Sequence, residues 1–163
     1  MPFDGFAWRV TWVNRDPLTG GSGGGRWNPP NEFEVLYTSL AEDGALAEIY
    51  YHLSKAPVFS TSHVKINKIH ATTERTLSFR GIVSLLPMGV TEEAFRRGEF
   101  SRTREIGAAA RFLDMDGLIV PSARSDIANL VLFIDRMDHR ESLSVVESHD
   151  INWPAWRETY GRK

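Results

Sequence analysis

Phe6, Trp8, Val10 and Trp12 alternate with Ala7, Arg9 and Thr11, the period-two pattern of a strand with one face toward a core. "NRDPLTGGSGGG" then breaks regular structure, and "EVLYTS" (residues 34–39) resumes it as a short strand of branched and aromatic residues. Ser39 and Glu42 have the spacing of a capping box, which predicts a helix running to about Lys55. Its apolar stripe is Leu46, Ile49, Tyr50 and Leu53. "VKINKI" reads as a strand, with another around "TLSFRGIVSLL". Thr91, followed by Glu92 and Glu93, opens a short helix that ends near Gly98. "TREIGAAARFL" continues as a second helical stretch, although Gly107 costs helix propensity there. "GLIVPS", "NLVLFI" and "LSVVES" are apolar runs bounded by turn formers, the pattern of buried strands. In the tail, "INWPAWRETYG" predicts a helical turn starting at Pro154, with both tryptophans packed on the body. Strands interspersed with helices, without a regular βαβ cadence, predict a mixed α+β fold.

The 163 residues, 42% of them hydrophobic and 25% charged, suit a single soluble domain over residues 1–163. A net charge of −2 gives no electrostatic footprint for nucleic acid or for an anionic membrane. Arg96, Arg97, Arg102 and Arg104 lie close together and read as a solvated face. The chain has no cysteine, which excludes disulfides, thiolate zinc sites and thiol catalysis. Neither a signal peptide nor a membrane span is recognisable, so the expected location is the cytoplasm.

One segment calls for more than a linker. "GGSGGGRWNPPNE" (residues 20–32) opens on five glycines and a serine, then turns to arginine, an indole, asparagine and two prolines. Glycine lets backbone take positive φ and lets a ligand approach closely, whereas the prolines stiffen the exit. The expectation is a mobile lip on a rigid block that presents Arg26, Trp27 and Asn28. The familiar phosphate loops do not fit. Gly20 and Gly25 have P-loop spacing, but Arg26 and Trp27 stand where lysine and serine or threonine belong. In the dinucleotide fingerprint, Arg26 falls on the third glycine and no helix is predicted to follow. The five histidines show no metal-ligand spacing, so no metal site is indicated. Ser122 in "VPSAR" lacks a nucleophile elbow.

Taken singly, the candidates all have ordinary readings. Arg26 fits a surface arginine, Tyr37 a half-buried aromatic, Ser122 a turn residue. Glu48 lies off the apolar stripe, on the side of Tyr51 and His52, where a solvated glutamate belongs.

The combination is more specific. "GGRWN", "LYTS", "ALAEIYYHL" and "IGAAARFL…GLIVPSAR…N" resemble, in order and approximate spacing, the RES domain family. The resemblance spans roughly Trp8 to Asn129 and implies a fold similar to ADP-ribosyltransferase toxins, a split mixed sheet with a cleft for NAD+. It implies a toxin that breaks the nicotinamide–ribose bond, with NAD+ as substrate and no added cofactor. The implied partner is an antitoxin with an Xre-type helix-turn-helix; a homodimer stays open.

Carried over by position, the family arginine falls on Arg26, its tyrosine on Tyr37, its glutamate on Glu48 and its serine on Ser122. Asn129 is a further match. The implied roles are phosphate binding for Arg26 and stacking on nicotinamide for Tyr37. Glu48 would stabilise an oxocarbenium-like transition state, while Ser122 would donate to the carboxamide or place the nucleophile. Trp27, Asn28 and Asn129 complete the substrate-binding set. Two departures stand out. Asn31 replaces a glycine that commonly follows "RWNP", a swap the left-handed region tolerates. The family's "N-x-L-x-N-P-x-H" ending is here "NLVLFIDRMDHRE". A mono-ADP-ribosyltransferase acting on a protein would use the same residues, and an inactive nucleotide-binding module is the alternative outside enzymes.

Overall fold

The computed structural model describes residues 1–54, 64–137, 142–152, 155, 156 and 158. The strands are β1 (Phe3–Trp12), β2 (Leu36–Ser39), β3 (Val64–Thr73), β4 (Thr76–Ser78), β5 (Gly117–Val120), β6 (Asn129–Leu132) and β7 (Leu143–Asp150). The helices are α1 (Glu42–Ser54), α2 (Glu92–Arg97) and α3 (Ser101–Phe112), with 3₁₀ turns at Ile82–Met88 and Ile134–Arg136. The strands form one mixed sheet in the order β4-β5-β6-β2-β1-β3-β7, so the fold is α+β. Among the described residues only β4 and β5 run parallel.

The sheet is nearly divided in the middle. β1 pairs with β3 along its whole length, and β2 pairs with β6 at four positions. β1 and β2 share a single register pair, Trp8 with Ser39. Two half-sheets therefore diverge at this seam and leave a cleft between them.

In the β5–β6 half both faces are covered, which explains its unbroken apolar runs. Val131 and Phe133 point into a core with Trp27, Phe33, Phe95 and Ile106. Leu130 and Leu132 point the other way, toward Leu36, Ile69 and Ala7. α1 packs on the other half-sheet through Ala45 and Leu46 against Val64 and Ile66. Ile49 and Tyr50 extend that contact; the Leu53 side chain and Lys55 lie outside the described residues.

Several local expectations change. The more buried face of β1 is the small one, Ala7 and Thr11, while Phe6 and Trp12 are exposed. Trp8 and Val10 instead pack beneath α1 and border the cleft. "LSVVES" is a strand but an edge one; beyond Leu143 it is exposed, and its serines and charges suit an unpaired edge. "TLSFRGIVSLL" makes only three strand residues, because Gly81 at φ 79° turns the chain into a 3₁₀ segment. The capping box does not form. Ser39 stays in β2, and the first helical bond runs from Ala45 N–H to the Ala41 carbonyl.

α2 begins and ends as its sequence predicts: the Thr91 hydroxyl accepts from Ala94 N–H, and Gly98 adopts the left-handed conformation. The arginine cluster is largely a solvated face, with Arg96, Arg97 and Arg102 paired to Glu92, Glu93 and Glu99, and Glu105. In the tail, Trp156 packs near Tyr50; Trp153 and Pro154 lie outside the described residues.

Candidate active site

The glycine segment is fastened along its length. Gly21 and Val35 exchange backbone hydrogen bonds of 3.0 and 3.1 Å, and Asn31 N–H donates to the Ser22 carbonyl at 2.7 Å. Asn31 sits at φ 63°, the left-handed conformation that its replacement of glycine calls for. Gly25 lies against Tyr37, where a Cβ would come within 2.5 Å of the phenolic oxygen.

α3 holds this segment from the far side. The Thr103 hydroxyl donates to the Arg26 carbonyl at 2.5 Å, and Arg104 Nε donates to the Gly25 carbonyl at 2.8 Å. Gly107 faces Trp27 so closely that a Cβ would overlap the Trp27 carbonyl oxygen. The residue that costs helix propensity is thus the one that lets helix and loop meet.

The block does not display its three polar and aromatic residues on a rim, as the sequence suggests. Trp27 and Asn28 are 2% and 1% exposed. Trp27 belongs to the core and still contributes to the cleft wall, while Asn28 stands behind it. Asn28 Oδ1 accepts the Tyr37 hydroxyl at 2.5 Å, and Trp27 N–H donates to the same phenol at 3.0 Å. Asn28 therefore acts on the cleft by orienting Tyr37. Burial, opposed by the backbone N–H groups of Trp27 and Asn28 and by nearby Arg104 and Arg26, pushes the Tyr37 pKa up to about 12. The phenol remains a neutral donor, which suits an aromatic surface and not a base.

Arg26 turns its guanidinium between two rings, its carbon 4.3 Å from the Phe95 centroid and 4.9 Å from that of Phe100. Nη1 donates to the Phe95 carbonyl at 2.8 Å. Burial draws its pKa below the ordinary arginine value, opposed by the charge of Glu48. Arginine nonetheless stays protonated in proteins. Among the described residues no carboxylate pairs with it directly.

Glu48 projects from α1 toward β6 and the loop after β5. Its Oε1 accepts the Ser122 hydroxyl at 2.7 Å and Asn129 Nδ2 at 3.3 Å. It is half-buried, not a solvated helix residue. Ser122 meets the site through this carboxylate. Arg26, Trp27, Tyr37, Glu48 and Asn129 border one cavity of about 480 Å³, situated at the seam where β1 and β2 part. Its size is that of a small-molecule site.

Trp8, His52, Phe100 and Arg124 also line this cavity, and no sequence signal singled them out. The β1 alternation contained Trp8, and "VPSAR" contained Arg124, but neither pattern reports what faces a cleft. Among the described residues no cluster of His, Asp and Glu has the geometry of a metal site.

This geometry can bind an anion at Arg26, offer the Tyr37 ring to a flat heterocycle and set a hydrogen-bonded carboxylate between them. Known proteins share the framework. The NAD(+) phosphorylases MbcT of Mycobacterium bovis and Mycobacterium tuberculosis are each 26% identical over 123 residues. The match covers 71% of this chain and 66% of theirs, just under two thirds of those relatives' length. The crystal structure of the M. tuberculosis MbcT–MbcA toxin–antitoxin complex superposes with a TM-score of 0.83 at 22% identity, covering 96% of this chain and 88% of that one. The likeness establishes the fold. The RES domain matches residues 6–157, a span that holds every cleft residue named above, and the chain belongs to the RES domain family.

Proposed function

We propose that this protein is the toxin of a toxin–antitoxin pair and cleaves the nicotinamide–ribose bond of NAD+, transferring the ADP-ribosyl group to phosphate. The observation that carries the reading is the Glu48 carboxylate, fixed by Ser122 and Asn129 in a cleft that also holds Arg26 and Tyr37. The likeness to the MbcT NAD(+) phosphorylases supports phosphate as acceptor.

Each group has a role in that chemistry. Nicotinamide leaves as a neutral molecule from a cationic ring nitrogen, so no strong general acid and no added cofactor are needed. Positive charge grows on the ribose as the bond lengthens. Glu48 opposes that charge and accepts from a ribose hydroxyl at Oε2, while Oε1 keeps its two protein donors. Arg26 holds the pyrophosphate through its remaining N–H groups. The Tyr37 ring packs against the nicotinamide. Ser122 and Asn129 hold the carboxylate in place.

The partner that silences the enzyme is, in this reading, an antitoxin with an Xre-type helix-turn-helix. The site of action is the cytoplasm, where the substrate pool lies. No described helix is long and apolar enough to cross a membrane.

Purified protein incubated with NAD+ and inorganic phosphate is expected to release nicotinamide and phosphorylated ADP-ribose. ADP-ribose attached to an added protein would favour the transferase. No nicotinamide from a folded preparation would leave a nucleotide-binding module. Arg26→Lys is expected to raise the KM for NAD+ roughly tenfold, because lysine supplies neither the fork nor the flat stack between Phe95 and Phe100. Steady-state kinetics with varied NAD+ check this, and an unchanged KM would remove Arg26 from the phosphate role.

A further inference from the structure

We propose that Arg124 anchors the acceptor phosphate and thereby selects phosphate over water; the assignment rests on the NAD+-cleaving reading above. Arg124 follows Ser122 by two residues in the loop after β5 and lines the same cavity as Arg26, Glu48 and Asn129. Its guanidinium carbon lies 3.5 Å from the Tyr51 ring centroid. A flat stack of this kind covers one face of the cation and leaves its N–H edges for a ligand. Among the described residues no carboxylate pairs with it.

The loop is also tied to the reacting centre. Arg124 N–H donates to Ser122 Oγ at 3.0 Å, and that hydroxyl donates to Glu48 at 2.7 Å. An anion held by Arg124 is thus held in register with the carboxylate. Arg26 is differently placed, tied to the Phe95 carbonyl near α2 and α3. Each cation has its own support, so the cleft offers one to the pyrophosphate and one to a second anion.

The electrostatics call for such a group. Glu48 favours the ribosyl cation but repels an incoming phosphate, and the substrate's pyrophosphate uses the charge of Arg26. Arg124 offsets that repulsion on the Glu48 side of the cleft. The chemical step then balances without a base. The carbon–nitrogen bond breaks and its electron pair leaves with neutral nicotinamide. A lone pair on the oxygen of the phosphate dianion forms the new carbon–oxygen bond, and no proton must be removed. Water would have to lose one.

The test is nicotinamide release by the purified chain at varied phosphate and varied NAD+, for wild type, Arg124→Ala and Arg124→Lys. The alanine variant is expected to raise the KM for phosphate by roughly tenfold or more, with that for NAD+ moving less than about twofold. Its products should shift toward free ADP-ribose. The lysine variant keeps charge without the stack and should fall between the two, which provides the reading if the alanine variant does not fold. A raised KM for NAD+ with phosphate unaffected would overturn the assignment and place Arg124 on the dinucleotide. Wild-type nicotinamide release indifferent to phosphate would overturn it too, while leaving NAD+ cleavage standing. No nicotinamide release from wild type would overturn both.

Discussion

Glu48→Gln is expected to lower turnover roughly 10²- to 10³-fold, about 2.7–4 kcal/mol, the scale for losing one preorganised electrostatic contact. The swap is nearly isosteric. The glutamine carbonyl can still accept the Ser122 hydroxyl and Asn129 Nδ2, the two donors that meet Glu48 Oε1. What disappears is the negative charge opposite the developing cation. Weakening two charge-assisted hydrogen bonds costs stability of about 1 kcal/mol, and the melting temperature should fall by roughly 2–4 °C. The KM for NAD+ should change little, because the interaction strengthens mainly in the transition state. Rates and melting curves on the same preparation check both halves. A well-folded variant with near wild-type turnover would take Glu48, and most of the mechanism, out of the site.

Gly107→Ala should be the most damaging small substitution in the described structure. In an ordinary helix interior, glycine to alanine adds up to about 1 kcal/mol of stability. Here the added methyl meets the Trp27 backbone carbonyl, which has no rotamer to escape into. The helix and the Gly25–Trp27 segment must separate, loosening the Thr103 and Arg104 hydrogen bonds that join them. A net loss of about 2–3 kcal/mol is expected, close to the upper range for overpacking. That corresponds to a melting temperature lower by roughly 5–10 °C. The KM for NAD+ should rise as well, since Arg26 moves with the segment. A variant more stable than wild type would show that propensity governs this position and that helix and loop do not meet as described.

Several elements were legible because their causes are local. Thr91 and Gly98 bound α2, since capping involves only neighbouring backbone. "NLVLFI" announced a strand covered on both faces. The left-handed Asn31 followed from its standing where the family commonly has glycine. The resemblance of "GGRWN", "LYTS" and the following helix to the RES family named Arg26, Tyr37, Glu48, Ser122 and Asn129, which a helical wheel or a loop composition could not have ranked above ordinary surface residues.

Tertiary structure decided the rest, because it depends on contacts far apart in the chain. Glu48 reads as solvated by periodicity, yet its partners are 74 and 81 residues away. Alternation in β1 fixed which residues share a face but not which face is the more buried, and the small face proved to be so because Ala7 packs into the core with Leu36, Ile69 and Leu130. "LSVVES" looked buried, yet apolar content does not tell an edge strand from a central one. Trp27 and Asn28 looked like a displayed pair until α3 closed over them, and Gly107, a defect by propensity, is what makes that closure fit. Sequence alone determined most of the local elements and named the candidate side chains of the cleft. The split between β1 and β2 decided where they meet, because a cleft exists only where two half-sheets part, and no single segment encodes that divergence.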